Sequence, residues 1–147
     1  MQEFVSKSLE DTQIFAHKWL VGVSGLQKGK DVEGALTVGL SGHLGAGKTA
    51  FVKAVARELG IAEEITSPTF VIMKIYNTKN KTFKKLVHID AYRLDNKEDM
   101  AVLALHAHLK ENGTLIMIEW PENVGFKGDI ELEFEALDKS SIRIKER

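Results

Sequence analysis

The 147-residue sequence contains no cysteine and only two prolines, and its formal net charge at pH 7 is only -1. The absence of cysteine excludes disulfide bonds, cysteine-ligated zinc and thiol nucleophiles. A near-neutral charge is not typical of a protein that holds a nucleic-acid backbone itself, so in any RNA-related process a partner would make most of the phosphate contacts. The first residues lack the basic start and apolar core of a secretory signal, and no stretch approaches the roughly 18 apolar residues of a membrane span. From this we expect a cytoplasmic protein.

The sequence also lacks internal repeats, low-complexity tracts and any segment that resembles a linker. We therefore predict one domain that covers residues 1–147, long enough to bury a core but too short to add a separate substrate domain.

One segment carries a specific chemical pattern, G-x-x-x-x-G-K-T, and it lies between a predicted strand at residues 35–41 and a predicted helix that ends near Gly60. Its three glycines permit backbone angles that let several N–H groups turn inward as an anion cradle. The lysine can reach the β- and γ-phosphates of a nucleotide, and the threonine hydroxyl can bind Mg²⁺. A chance match is the alternative, which the flanking strand and helix disfavour. We assign nucleotide binding to Gly42, His43, Leu44, Gly45, Ala46, Gly47, Lys48, Thr49 and Ala50.

The remaining patterns predict the rest of an α/β fold. Residues 115–118 form a continuous apolar run, as expected of an inner strand covered on both faces. Residues 70–76 and 82–90 predict a hairpin, and alternating apolar residues from Ile130 onward indicate antiparallel strands at an edge. With the loop, these elements favour a P-loop NTPase fold, which is a central, mostly parallel sheet with antiparallel edge strands, flanked by helices.

Other local signals mark the two predicted helices outside the loop. A short strand at residues 2–6 is followed by Ser8 and Asp11, which resemble a capping box that begins a helix. We expect that helix to end near Leu20 and residues 22–34 to form a loop. Residues 96–99 can cap a further helix. They also spell N-K-x-D, the guanine-reading pattern of many GTPases, but they precede the strand after which that pattern should come, so guanine specificity is not supported.

Two carboxylates follow predicted strands, where ligands bind in open α/β sheets. Glu119 ends the apolar run, at the position where P-loop NTPases place the acid that holds Mg²⁺ or polarises the attacking water. Asp90 ends the preceding strand and could bind Mg²⁺ or orient that water, although capping of a turn explains it equally well. Thr69, in the segment S-P-T-F at residues 67–70, fits a switch that senses the γ-phosphate or a plain strand-entry turn.

Four segments in the same order resemble the TsaE family, also called YjeE, of small bacterial ATPases, and together they cover most of the chain. The resemblance implies a Mg²⁺-dependent ATPase that supports formation of threonylcarbamoyladenosine next to the anticodon of tRNA. It further implies action on a complex of the TsaB and TsaD proteins, with tRNA contacted only through those partners. The segments are G-H-L-G-A-G-K-T at 42–49, S-P-T-F at 67–70, H-I-D-A-Y-R-L at 88–94 and I-E-W-P-E at 118–122.

The resemblance also implies roles for individual residues. Thr49 and Glu119 would hold Mg²⁺, Asp90 gains a catalytic or metal-linked role, and Lys48 would act on the phosphates. Thr69 falls on a switch-like segment, Trp120 lies beside the nucleotide site, and Thr12 is a residue that could touch the base. One position departs from the family, which usually has aspartate where this chain has His43. That replacement leaves the cradle's backbone intact but changes the charge on the loop.

Two other functions remain open at the level of the sequence. A small-molecule or nucleotide kinase would need an acceptor site and usually an arginine-rich lid, whereas only Arg57 and Arg93 lie between the loop helix and Glu119. A nucleotide-binding protein that barely hydrolyses is the other alternative. Because no second catalytic arginine is evident, we expect hydrolysis by the isolated chain to be slow and partner-dependent.

Overall fold

The structure, a computed structural model, describes residues 3–28, 33–43, 45–65, 73–93 and 105–147. Within these ranges no helix is both long and apolar enough to cross a membrane. The elements in chain order are β1 (Glu3–Ser6), α1 (Leu9–Lys28), β2 (Leu36–Gly42), α2 (Lys48–Glu58), β3 (Met73–Asn77), β4 (Lys85–Asp90), β5 (Thr114–Glu119), a 3-10 helix (Pro121–Val124), β6 (Ile130–Ala136) and β7 (Ile142–Glu146).

The seven strands form one sheet in the order β1-β7-β6-β2-β5-β4-β3. The four inner strands β6, β2, β5 and β4 are parallel, and β3 pairs antiparallel with β4 at one edge. Parallel strands present their carboxyl ends at the same edge of a sheet, and here Leu40, Asp90 and Glu119 are register partners at that edge. The α/β fold with a mostly parallel centre is therefore confirmed.

Both faces of the sheet are covered, and this explains the continuous apolar sequence of β5, whose six residues are all buried. On one face, α1 and α2 pack around Phe51, which is fully buried and contacts the rings of Phe15, Trp19 and Phe134. On the other face, a smaller apolar cluster includes Leu105, which begins a helical turn at residues 105–108. Residues 96–104 of the predicted helix lie outside the described residues.

Helix α1 begins as predicted. The Ser8 Oγ accepts a hydrogen bond from the backbone N–H of Asp11 at 3.0 Å, and the Asp11 carboxylate accepts one from the Lys7 N–H at 2.9 Å. These two bonds satisfy backbone donors that a helix start otherwise leaves unpaired.

The loop predicted for residues 22–34 is wrong in its first part, because α1 continues to Lys28. Val23 is almost fully buried and belongs to the same apolar cluster as Trp19 and Leu20, so the helix gains packing by continuing. Gly22 and Gly25 fall on positions where an added Cβ would meet no atom within 4 Å. Their cost of about 1 kcal/mol each in a helix is smaller than the gain from burying Val23.

The C-terminal strands also differ from expectation. Leu132 and Phe134 are buried, as the alternation predicted, but β6 pairs parallel with β2 inside the sheet. β7 is antiparallel to β6, and β1 covers its outer side, so neither C-terminal strand is an edge. The hairpin is confirmed for its described part, in which β3 and β4 pair from Met73 with Ile89 to Asn77 with Lys85.

Candidate nucleotide and metal site

The loop between β2 and α2 depends on glycine for its shape. Gly42, Gly45 and Gly47 have φ angles of 143°, 79° and 98°, a region that other residues rarely adopt. A Cβ at Gly42 would lie 2.3 Å from the carbonyl oxygen of Phe134, and one at Gly47 would lie 2.6 Å from Cδ1 of Ile142. The loop therefore wraps closely against the ends of β6 and β7 and reaches α2 at Lys48. Leu44 lies outside the described residues.

The N-terminus of α2 presents a region of positive potential to the loop. Its first turn contains no acidic residue, and Gly47 as the residue before the helix offers no side-chain cap. Unpaired N–H groups at a helix start and the helix dipole together favour an anion. Ala46, which is buried, donates its N–H to the carbonyl of His43 at 3.1 Å and closes the turn of the loop.

Lys48 lies in the concave side of this loop with only 4% of its surface exposed. Its Nζ donates hydrogen bonds to the carbonyl oxygens of Gly42 and His43, the latter at 3.1 Å. The ammonium also lies 4.0 Å from the centre of the Trp120 ring, a cation–π distance. Burial lowers the pKa of Lys48 below its ordinary value, although nearby carboxylates, Glu119 first among them, oppose this shift.

Glu119 connects the loop to the sheet. It is 3% exposed at the end of β5, and its two carboxylate oxygens accept from the Thr49 hydroxyl at 3.0 and 3.2 Å. The same carboxylate is 2.6 Å from Nε2 of His88. The structure thus brings together Thr49 and Glu119, two of the three residues predicted to hold a metal; the third, Asp90, is the register partner of Glu119 on the neighbouring strand. A hydroxyl and a carboxylate are ligands that suit Mg²⁺, which takes oxygen donors and keeps several waters.

Asp90 lies at the end of β4, beside Glu119 in the parallel register. Its Oδ1 accepts from the backbone N–H of Tyr92 at 3.0 Å, as in a turn cap. Its negative charge, like those of Glu119 and Glu122, opposes the lowering of the Lys48 pKa by burial. The turn cap predicted for Asp90 is therefore confirmed, whereas its role toward Mg²⁺ or the attacking water stays a prediction.

Trp120 adopts a left-handed backbone conformation, with φ 61° and ψ 49°, that is unusual for a bulky residue. Its N–H donates to the carbonyl of Leu40 at 3.1 Å, and its ring packs against Tyr92 with 5.1 Å between centres. Pro121 follows it and opens the 3-10 helix. These contacts direct the indole over Lys48, so Trp120 lies at the loop as expected.

A cavity of about 480 Å³ opens beside the loop, between the start of α1 and α2. Thr12, Thr49 and Ala50 all line it, so three residues predicted to bind nucleotide share one space. Thr12 itself is 3% exposed, and its hydroxyl lies 2.7 Å from that of Ser6. Thr69 and the rest of its segment lie outside the described residues.

The sequence patterns predicted no role for His88, whereas the structure places it in contact with Glu119. The available signal was its position two residues before Asp90. Side chains two apart on a strand face the same side, so His88 shares the face of Asp90 and of Glu119.

Residues 6–146 match the family model described as "Threonylcarbamoyl adenosine biosynthesis protein TsaE". The chain is 39% identical over 120 residues to the tRNA threonylcarbamoyladenosine biosynthesis protein TsaE of Treponema pallidum, which covers 82% of this chain and 78% of that protein. It is 33% identical over 147 residues to the protein of the same name from Aquifex aeolicus, covering 99% and 95% of the two chains.

A solved structure described as "Crystal structure of Bacillus subtilus YdiB" superposes with a TM-score of 0.64 at 25% identity, covering 97% of this chain and 82% of the other. The family match spans nearly the whole sheet, including the loop, Glu119 and both C-terminal strands. The chain therefore belongs to the TsaE family of tRNA threonylcarbamoyladenosine biosynthesis proteins.

Proposed function

We propose that this TsaE-family protein binds Mg·ATP at the loop of residues 42–49 and hydrolyses it slowly, as an accessory factor that acts on a TsaB–TsaD complex in the cytoplasm. In this proposal tRNA is contacted by the partners rather than by this chain. The observation that carries the proposal is the contact of the Glu119 carboxylate with the Thr49 hydroxyl, at the start of α2 and beside the glycine loop.

The chain's own residues supply the phosphate site. The backbone N–H groups of the loop and of the first turn of α2 would bind phosphate oxygens. Lys48 donates to two loop carbonyls in the structure, and phosphate oxygens would replace those carbonyls as acceptors. Because the ammonium is already buried within the loop, little movement is needed for that exchange.

Thr49 and Glu119 would hold Mg²⁺, whose charge would neutralise charge that develops on the phosphate oxygens. The Thr49 hydroxyl would offer an oxygen lone pair to the ion, which leaves its hydrogen available to the Glu119 carboxylate. Asp90 lies at the next strand end and is a candidate for orienting the attacking water, a role that Glu119 could also fill. These two roles can be separated by mutation.

The cavity beside the loop fits the remainder of a nucleotide. Its lining combines apolar side chains with two cations, two carboxylates and the polar residues Thr12, Gln13 and Thr49, and apolar walls with a few polar groups suit a base and a ribose. The apolar residues are Leu9, Ala50, Ala54, Ala56, Ile61 and Ile65, the cations are Lys53 and Arg57, and the carboxylates are Glu63 and Glu64.

Slow turnover by the isolated chain follows from the arginines. Phosphoryl transfer is accelerated when an arginine stabilises charge on the transferring phosphate. Arg57 donates to Gln13 at 3.1 Å, and Arg93 is exposed. No hydrogen bond or ion pair joins either side chain to the loop in the part of the chain that the structure describes, so we expect a partner complex to accelerate the reaction.

The central experiment measures ATP hydrolysis by the wild-type chain alone and with TsaB and TsaD, together with capture of those proteins in the presence of ATP, ADP or no nucleotide. We expect slow hydrolysis alone, faster hydrolysis with the partners, and capture that depends on the nucleotide. Fast turnover alone, or failure to capture either partner under every nucleotide condition, would contradict the proposal. Labelled phosphate in an organic acceptor would instead identify a kinase.

Two variants assign the carboxylates. Asp90→Asn keeps an oxygen that can cap the turn at Tyr92, so it should retain Mg·nucleotide binding while hydrolysis falls. Glu119→Gln should lose the dependence of binding on Mg²⁺ as well as hydrolysis. If the two variants have the same profile, the separation of roles between Asp90 and Glu119 is wrong.

A further inference from the structure

We propose that His88 is a positioning residue that fixes the Glu119 carboxylate in the orientation in which it meets Thr49, and so prepares the Mg²⁺ site. This inference rests on the function proposed above. His88 lies on β4 with none of its surface exposed, and its Nε2 is 2.6 Å from Oε2 of Glu119. Since His88 is buried behind that carboxylate, it does not reach substrate and acts through Glu119 alone.

The hydrogen-bond partners determine which nitrogen of His88 carries hydrogen. An ionised carboxylate can only accept, so Nε2 is the donor in the contact with Glu119. Nδ1 is buried and has no hydrogen-bond partner among the described residues. A bare nitrogen there leaves an unused acceptor, whereas a second N–H would leave a buried positive donor without a partner, which is far less favourable. The geometry therefore places a hydrogen on Nε2, directed at the Glu119 carboxylate, and none on the unpartnered Nδ1.

The contact restrains a side chain that is otherwise free to rotate. Glutamate has three rotatable side-chain bonds, and Glu119 must direct both oxygens toward one hydroxyl of α2. The Nε2–H of His88 holds one of these oxygens from the side of the neighbouring strand. Parallel pairing fixes this arrangement, because His88 is the register partner of Met117, two residues before Glu119 on the same face.

Groups that orient metal ligands contribute strongly to metal binding. Loss of such an outer group typically lowers metal affinity about 10- to 100-fold. Removal of the His88 donor should therefore weaken Mg²⁺ binding in the nucleotide complex by about that factor. Binding of ADP without Mg²⁺ should change little, since no hydrogen bond joins His88 to Lys48 or to the described residues of the loop.

The variants are chosen to separate the donor from the volume that His88 fills. His88→Leu removes the donor and keeps an apolar side chain in the core. His88→Gln places an amide N–H at a similar reach and should restore the contact. His17→Leu is the matched control, because it also removes a histidine–glutamate contact. His17 lies on the surface of α1, with its Nδ1 3.0 Å from Oε2 of Glu58.

The measurement is calorimetric titration of each folded variant with ADP, at several Mg²⁺ concentrations and in chelator. We expect His88→Leu to lose Mg²⁺ affinity selectively, His88→Gln to remain within about threefold of wild type, and His17→Leu to match wild type. Unchanged Mg²⁺ affinity in His88→Leu, or equal losses with and without Mg²⁺, would overturn the proposal.

A second readout does not require nucleotide or a leucine variant that folds. Nitrogen-15 NMR of the wild-type imidazoles should show one protonated nitrogen, Nε2, and one bare nitrogen for His88, and the signals should shift in Glu119→Gln. The other tautomer, or no response to Glu119→Gln, would refute the contact itself. If the wild-type chain binds no nucleotide, the proposed function fails, and the tautomer result still decides whether His88 holds Glu119.

Discussion

Replacement of Gly47 by alanine tests how the phosphate loop is built, because two separate strains act at this residue. The backbone has φ 98° and ψ 9°, which disfavours any residue with a Cβ. The added Cβ would also lie 2.6 Å from Cδ1 of Ile142 on β7, whereas the other two nearest atoms of Ile142 are at ordinary distances of 3.6 and 3.8 Å. The steric strain therefore comes from one methyl group.

The magnitude follows from adding the two strains. A left-handed backbone costs an alanine about 1–2 kcal/mol, and overpacking by one methyl in a packed core costs roughly 1–3 kcal/mol. Because Cδ1 is the free end of a partly buried side chain and can turn aside, the steric strain lies at the lower end of that range, and Gly47→Ala should lower the free energy of unfolding by about 2–3 kcal/mol. Ile142→Val removes Cδ1 alone, so in that background Gly47→Ala should cost only the backbone strain of about 1–2 kcal/mol.

The assay is urea denaturation of the four proteins of this double-mutant cycle, followed by nucleotide binding to each. The Ile142→Val single variant should lose about 0.5–1.5 kcal/mol at most, because Ile142 is only partly buried. A coupling energy near zero, with Gly47→Ala equally costly in both backgrounds, would refute the steric reasoning. Nucleotide affinity should stay reduced in both Gly47→Ala proteins, because the backbone strain remains and displaces N–H groups of the cradle.

Two further predictions concern α1 and Lys48. Gly22→Ala and Gly25→Ala should each stabilise the protein by about 0.5–1 kcal/mol, because neither added Cβ meets an atom within 4 Å and alanine is the better helix former. A lower free energy of unfolding for both variants in urea denaturation would contradict the extended helix. Burial lowers the pKa of Lys48 in the folded chain below its ordinary value of 10.5. Between these two pKa values the unfolded chain binds more protons than the folded chain, so the free energy of unfolding should rise with pH. The rise is measured against Lys48→Met, which lacks the ammonium. Over the same pH interval the affinity for nucleotide should fall as the ammonium is lost. If the free energy of unfolding of the wild type minus that of Lys48→Met stays constant or declines with pH, the lowered pKa is wrong.

The phosphate loop and its carboxylate could be predicted because their signals are local. The glycine spacing fixes the loop's backbone within eight residues, and a buried strand that ends in an acid places Glu119 at the carboxyl edge of a parallel sheet. The contact between Glu119 and Thr49 then follows from the order of the elements, although the two residues are 70 positions apart. Strand ends and loop patterns together were enough for this part of the site.

Features that depend on long-range packing could not be predicted in the same way. Gly22 and Gly25 signalled a loop, yet burial of Val23 extends α1 past both. The alternating sequence of β6 is compatible with an edge strand. It is an inner strand only because β7 pairs with its outer side and β1 pairs with β7. His88 lies in the family-like segment at 88–94, yet no role could be predicted for it, because its importance arises from a contact with a residue 31 positions away.

His43 stands where the family usually has aspartate, and the structure separates its backbone role from its side chain. The carbonyl of His43 accepts from Lys48 and from the N–H of Ala46, contacts that any residue supplies. The exposed side chain lines a groove on the other side of the loop, with Glu122 and Glu133 among its residues. An aspartate there would add negative charge to this groove, whereas histidine does not. We therefore expect the replacement to change the charge of the surface that the loop presents outward and to leave the backbone contacts of the loop as they are.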